Sequence, residues 1–289
     1  MAAGKVLDRE EYIEQAYFFR ALRDRLLEGL ATQEALERID QEILATTRLP
    51  YAIQFLAAEL KHTGLLSSGF ARLAHYFAPF QAFVVRCTEE EGRRFNTESG
   101  LLVLQREAEY RAANVTPAGM FIYQFEVLCR NRMGYDGGLT AMASDPLYDA
   151  DWRAFVELAR QQIGLIDFAD ILYTRSFDYV REEQRKRPEY EPSLPPLFGD
   201  KEGKIARANR GRDPLFLFSA LQRQLGYPEV PRPRPRDDLA AKMETLQAKM
   251  RELEARLKVI DSDVRGKLDL DQLGKPELLR DWPVERDDS

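Results

Sequence analysis

A chain of 289 residues, 44% apolar and 10% aromatic, has enough material to bury a substantial core, which excludes wholesale disorder. A formal net charge of −6, with 31% charged residues, argues against a dedicated nucleic-acid coat or a strongly basic membrane binder, though local patches can act against that average. Cys87 and Cys129 are the only cysteines, and they read as reduced thiols in a cytoplasmic protein rather than as a disulfide framework.

Asp8, Arg9, Glu10 and Glu11 follow no apolar segment, so no secretory leader is expected. The uncharged stretch 73–85 is broken by Pro79 and falls short of the roughly 18–20 residues that a bilayer span requires. The expected location is the cytoplasm, with no membrane partner.

The first helix opens with Asp8 and Glu11 in a capping-box spacing and carries Tyr12, Ala16, Phe19, Leu22, Leu26 and Leu30 on one face. Thr32 can cap a second helix with Leu36, Ile39 and Ile43 buried. Pro50 suits the first turn of a third, whose stripe is Ile53, Leu56 and Leu60 before Gly64. Ser67 or Ser68 opens a shorter fourth helix through Phe77. Residues 80–86 and 101–105 are apolar runs that periodicity alone cannot assign; helix starts at Pro79 and Asn96 favour two helices over a β-hairpin.

Thr116-Pro117 begins a helix in which Met120, Phe121, Tyr123, Phe125, Val127 and Leu128 are apolar on most sides, the pattern of a central helix. Residues 134–138, with three glycines, read as a turn or loop, and Asp145-Pro146 marks another break. From Trp152 a stripe of Phe155, Val156, Ala159, Ile163 and Ile166 runs through Gly164 towards Tyr179, as one kinked helix or two abutting ones. Pro188, Pro192, Pro195 and Pro196 then predict an extended connector. Pro228, Pro231, Pro233 and Pro235, alternating with Arg232, Arg234 and Arg236, favour polyproline II and a spacer rather than an SH3-type ligand.

Near the C-terminus Leu239, Met243, Leu246, Met250, Leu253, Leu257, Ile260 and Val264 alternate spacings of four and three, an a/d seam without a charge on it. In a parallel pair Lys249 meets Glu254 of the facing helix and Arg256 meets Asp261, both attractive, so a parallel homodimer is expected. Packing of this helix back on the body is the competing arrangement. The tail carries Leu268, Leu270, Leu273, Leu278, Leu279 and Trp282 among acidic residues.

The expected organisation is a helical body over 1–186, a proline-rich connector over 187–200, a small helical accessory segment over 201–227, an Arg-Pro linker over 228–236, a coiled coil over 237–266 and a tail over 267–289. The fold class is all-α: an irregular multi-helix bundle with a C-terminal coiled-coil helix. A solenoid-like array comes second, because no repeat of about 34–40 residues shares a signature.

Candidate chemistry is thin. Glu59 and His62 make one Glu-x-x-His, but the other histidine, His75, is preceded at the matching position by Arg72, so a di-iron carboxylate set is at best half present. Gly199 to Lys204 has three residues between its glycines and Ile205 where a P-loop needs Ser or Thr. The serines between Gly64 and Gly69 make no nucleophile elbow. Neither cysteine has a local histidine partner. Lys204, Arg207, Arg210 and Arg212, followed by Phe216 and Phe218, could hold an anionic partner or RNA. The same aromatics, with Leu215, Leu217 and Leu221, more simply form the apolar part of a short docking helix. No catalytic, cofactor-binding or metal residue is assigned, and no cofactor is expected.

The phrasing of residues 49–81 and 197–231 resembles a family of uncharacterised bacterial helical proteins. The resemblance implies a bacterial cytoplasmic setting and carries over no activity, cofactor, partner or site residue. The leading reading is an oligomeric, non-enzymatic interaction or scaffold protein whose body binds a protein partner. An RNA- or phosphate-binding accessory protein acting through 201–218 is the alternative, and an enzyme built around Glu59 and His62 stands third.

Overall fold

The computed structural model of the chain describes residues 6–90, 95–113, 115–232 and 249–250. Among them it contains thirteen helices and, apart from two isolated bridges, no β-structure. The chain divides into one compact unit over 1–234 and a second over 235–289. Of the a/d seam only Met250 falls within the described residues; the tail 267–289 and linker residues 233–236 lie outside them.

Helix α1 (Arg9–Leu27) lies antiparallel along α6 (Thr97–Ala112), the longest pairing in the unit. Arg9 Nε donates to the Ala112 carbonyl at 3.0 Å, and a terminal nitrogen of Arg23 donates to Gln105 Oε1 at 2.9 Å. Helix α2 (Thr32–Asp40) packs on α3 (Leu49–Thr63), and α4 (Leu66–Arg72) joins α3 to α5 (Pro79–Glu89). The runs 80–86 and 101–105 are therefore both helical, started by Pro79 and by the side chain of Asn96, which accepts from Ser99 N.

Two expected caps are not made. Asp8 has no side-chain capping bond, and Glu11 turns inward to accept from Tyr76 Oη at 2.7 Å and Arg48 N at 3.0 Å. Tertiary partners outcompete the local box here, because a buried carboxylate needs strong donors. Thr32 is the first helical residue of α2 rather than its cap, which is Ala31.

Helix α7 (Pro117–Asn131) is buried continuously from Gly119 to Leu128. It is covered by α8 (Tyr135–Ala143) and by α13 (Pro214–Leu225). The 134–138 segment, expected as a loop, forms the start of α8. Its glycines fit close packing: a Cβ at Gly137 would meet Phe83 at 3.1 Å, and one at Gly138 would strike Leu128. Three helices follow Pro146 where one or two were expected. These are α9 (Ala150–Gln162), α10 (Phe168–Thr174) and α11 (Phe177–Lys186), with Gly164 at φ +88° ending the first stripe.

The proline-rich stretch ends in the core. Phe198 is fully buried between Trp152 and Phe155, with ring centroids 5.3 and 5.5 Å away, and its N–H donates to the Arg175 carbonyl. Helix α12 (Asp200–Ala208) packs on α10, α11 and α13. Residues 227–231 continue over the same surface. Tyr227 Oη donates to Glu126 Oε2 at 2.6 Å, Val230 is buried, and Asn131 Nδ2 reaches the Pro231 carbonyl at 3.4 Å.

Charge is also buried in this core. Arg111 sits between Glu107 and Asp145, all three sealed from solvent. Its Nε donates to Glu107 Oε1 at 3.0 Å, one terminal nitrogen to Asp145 Oδ1 at 3.3 Å, and the other bridges both carboxylates. Gln124 Nε2 donates to both acids and its Oε1 accepts from Tyr148 Oη at 3.0 Å. Burial raises the pKa of Glu107 against the pull of Arg111, whereas Asp145 and Glu107 keep Arg111 charged despite its desolvation.

A carboxyl whose pKa is raised by folding contributes stability that is fully present below its ordinary value, 4.5, and is lost as pH rises through the folded value. Glu107→Gln should therefore flatten the fall in stability of the chain above that pH. Asp145→Asn leaves the guanidinium undercompensated and should cost about 3–5 kcal/mol. Urea denaturation across a pH series measures both.

Candidate interaction face

The loops that precede α10 and α13 meet at one corner. Asp167 caps α10 by accepting from Ala169 N at 3.1 Å, while its second oxygen accepts from Gly211 N at 2.6 Å. This carboxylate ties the turn after α12 to the start of α10. Asp213 caps α13 through Leu215 N at 2.9 Å. Two exposed apolar pairs flank these caps along the chain: Leu165 and Ile166, 85% and 44% exposed, just before Asp167, and Leu215 and Phe216, 44% and 66% exposed, just after Asp213.

Helix α13 is thus divided by its own periodicity. Leu217, Phe218 and Leu221 point into the core, where Phe218 lies 5.9 Å from the Phe168 ring and 6.1 Å from Phe125. Leu215 and Phe216, in the first turn, are left outside. The apolar group that the sequence suggested as one docking surface is split into a buried half and an exposed half.

The basic segment lies on the neighbouring surface and is largely paired. Lys204 Nζ is 2.7 Å from Asp200, and Arg207 reaches Glu182 at 2.7 Å and Asp178 at 3.4 Å. Arg210 pairs with Asp170 and stacks over Tyr173, 4.2 Å from the ring centroid. Tyr173 Oη donates to Glu182, and this bond, with Arg207, draws the Glu182 carboxyl down to about 2. Arg212 is exposed and makes no ion pair with any described residue. Such exposed pairs contribute little to stability individually, but they neutralise the local field. Sequence spacing found the four cations; it could not find Asp170, Asp178 and Glu182, which come from α10 and α11.

The other candidates are placed apart from this corner. Glu59 is buried and bound to Arg72 and Ser68, while His62 and His75 are exposed. Gly199 is the N-cap of α12, and Gly64, at φ +73°, is the C-cap of α3. Cys87 is buried; Cys129 accepts from Tyr135 Oη at 3.5 Å, and burial pushes its thiol up to about 11, away from nucleophilic character. Among the described residues there is no group of three or more His, Cys, Asp and Glu side chains placed to hold a metal. Nor is any described helix long and apolar enough to cross a membrane.

A polar cleft of about 680 Å³ between α1 and α2 was not foreseen. Within it Glu42 accepts from Tyr17 and Arg25. The exposed corner is accordingly the arrangement best suited to burying the side chains of another molecule. Compared with known proteins, the chain matches no family model, no curated protein and no solved structure.

Because Leu165 and Phe216 bury little, Leu165→Ser and Phe216→Ser should each change unfolding free energy by no more than about 0.5 kcal/mol. Phe218→Ala, two residues further on, should cost about 3–5 kcal/mol. Chemical denaturation of the three variants distinguishes surplus apolar surface from core.

Proposed function

We propose that the chain is a non-enzymatic, oligomeric interaction protein. Its helical body offers the Leu165–Ile166 and Leu215–Phe216 corner to an apolar segment of a protein partner, and the heptad helix sets how many corners meet that partner at once. The observation that carries the reading is the exposure of Leu165, Ile166, Leu215 and Phe216 on two segments tied by the Asp167–Gly211 bond, with the charges of α12 mostly spent on carboxylates. A cluster of large apolar side chains that the fold does not need is the usual mark of a partner site. The uncharged seam Leu239–Val264, with its attractive Lys249–Glu254 and Arg256–Asp261 pairs, supports a parallel dimer. Joining two weak sites in this way can raise avidity by about 10²–10⁴ without new contacts. A cytoplasmic setting suits the two thiols.

Binding of RNA or phosphate through Lys204, Arg207, Arg210 and Arg212 stands second. Three of these cations already face carboxylates, so an incoming phosphate would have to displace an acid from each.

Light scattering at tens of micromolar should give a dimer for the full chain and a monomer for residues 1–236. A monomeric full chain contradicts the proposal. For the second reading, neutralising the four cations should leave the salt dependence of any RNA binding unchanged; a flattened dependence would favour it instead.

A further inference from the structure

Six helices end around a second cleft, of about 220 Å³. It is walled by Leu26 of α1, Leu60 of α3, Leu66 of α4, Val85 of α5, and Leu101 and Leu104 of α6. Leu66, Val85, Leu101 and Leu104 are buried, whereas Gly64 and Thr97 are exposed, so the apolar walls run inward from a mouth open to solvent. Native interiors are close-packed, and an apolar cleft of this size leaves its walls without the dispersion contacts that packing supplies. An apolar cavity of about 150 Å³ is already large enough to take benzene.

The polar groups at the cleft are few and specific. Thr32 and Thr97 line it as the first residues of α2 and α6, where Ala31 and Asn96 occupy the cap positions. Neither hydroxyl makes a hydrogen bond with any described residue, so both are free for a guest. Glu89 is the only charged group among the described residues of the lining. Its two oxygens accept from Leu66 N at 2.6 Å and Ser67 N at 3.0 Å, at the start of α4. A carboxylate committed in this way repels anions, and among the described residues of the lining there is no cation to compensate one.

We infer that this cleft is a binding site for a small neutral amphiphile: a short alkyl chain or single ring held by the leucines, with a hydroxyl end at Thr32 and Thr97. The site is separate from the apolar corner of α10 and α13 and shares no residue with it.

The test is a titration of full-length protein, labelled with ¹³C at its Leu and Val methyls, with 1-hexanol and with hexanoate as the charged probe of equal length. Saturable shifts confined to the methyls of Leu26, Leu60, Leu66, Val85, Leu101 and Leu104 are expected, with hexanoate at least tenfold weaker at neutral pH. Val85→Phe and Leu26→Phe fill the cleft from different walls and should abolish the 1-hexanol response while the remaining methyl spectrum stays that of the folded chain. If a filling variant does not fold, the titration of the unsubstituted chain decides alone. Shifts that do not saturate or that scatter over the protein, equal binding of hexanoate, or a retained response in a folded filled variant would overturn the inference.

Discussion

Helix α7 has no polar face, and the rest of the unit is arranged to satisfy that constraint. A helix apolar on one stripe can lie on a surface; one buried continuously from Gly119 to Leu128 must be covered from every direction. The covering is assembled from distant parts of the sequence. Phe121 meets Trp152, Phe155 and Phe198; Phe125 stacks on Phe168 with centroids 4.0 Å apart; and Tyr123 meets Tyr227. The Gln124 and Glu126 side chains within this buried run are committed: Gln124 to Glu107, Asp145 and Tyr148, and Glu126 to Arg130 and Tyr227. Burying these groups with partners specifies one register for the helix, whereas leaving any of them unpaired would be costly.

Covering α7 draws the C-terminal part of the unit into the core. Helix α13 is short and amphipathic, and the side that carries Phe218 and Leu221 is used up against α7 and α10. Its first turn extends past that contact. Leu215 and Phe216 are therefore exposed as a geometric consequence of where α13 is pinned, and the Asp167–Gly211 bond ties the loop that carries Leu165 and Ile166 to the turn before α13. Apolar side chains held at a capped helix start and in a short turn tied by a hydrogen bond lose little conformational freedom when a partner covers them, which is what a docking face requires.

The elements were more legible than their uses. Proline and Asn caps marked α3, α5, α6 and α7, and local chemistry suffices for those. The start of α8 was not legible, because Gly134, Gly137 and Gly138 look like a turn; Gly137 and Gly138 instead allow α8 to approach Phe83 and Leu128, a tertiary fact. Asp8 and Glu11 matched a local motif, yet Glu11 is taken by Tyr76, 65 residues away. The basic cluster shows the same limit. Lys204 and its Asp200 partner share a helix and could be read together, whereas the acids facing Arg207 and Arg210 come from other helices. Alternation of burial within Leu215–Leu221 was readable in principle from helical period; which half faces inward was not.

The account depends most on α7 and α13 belonging to one cooperative structure, with the exposed corner as its rigid edge. Native-state hydrogen exchange measures this directly. The slowest amides of α13, those around Leu217, Phe218 and Leu221, should exchange with the same opening free energy as those of α7 and respond equally to denaturant. Exchange of α13 through a separate, lower-energy opening while α7 stays protected would contradict it.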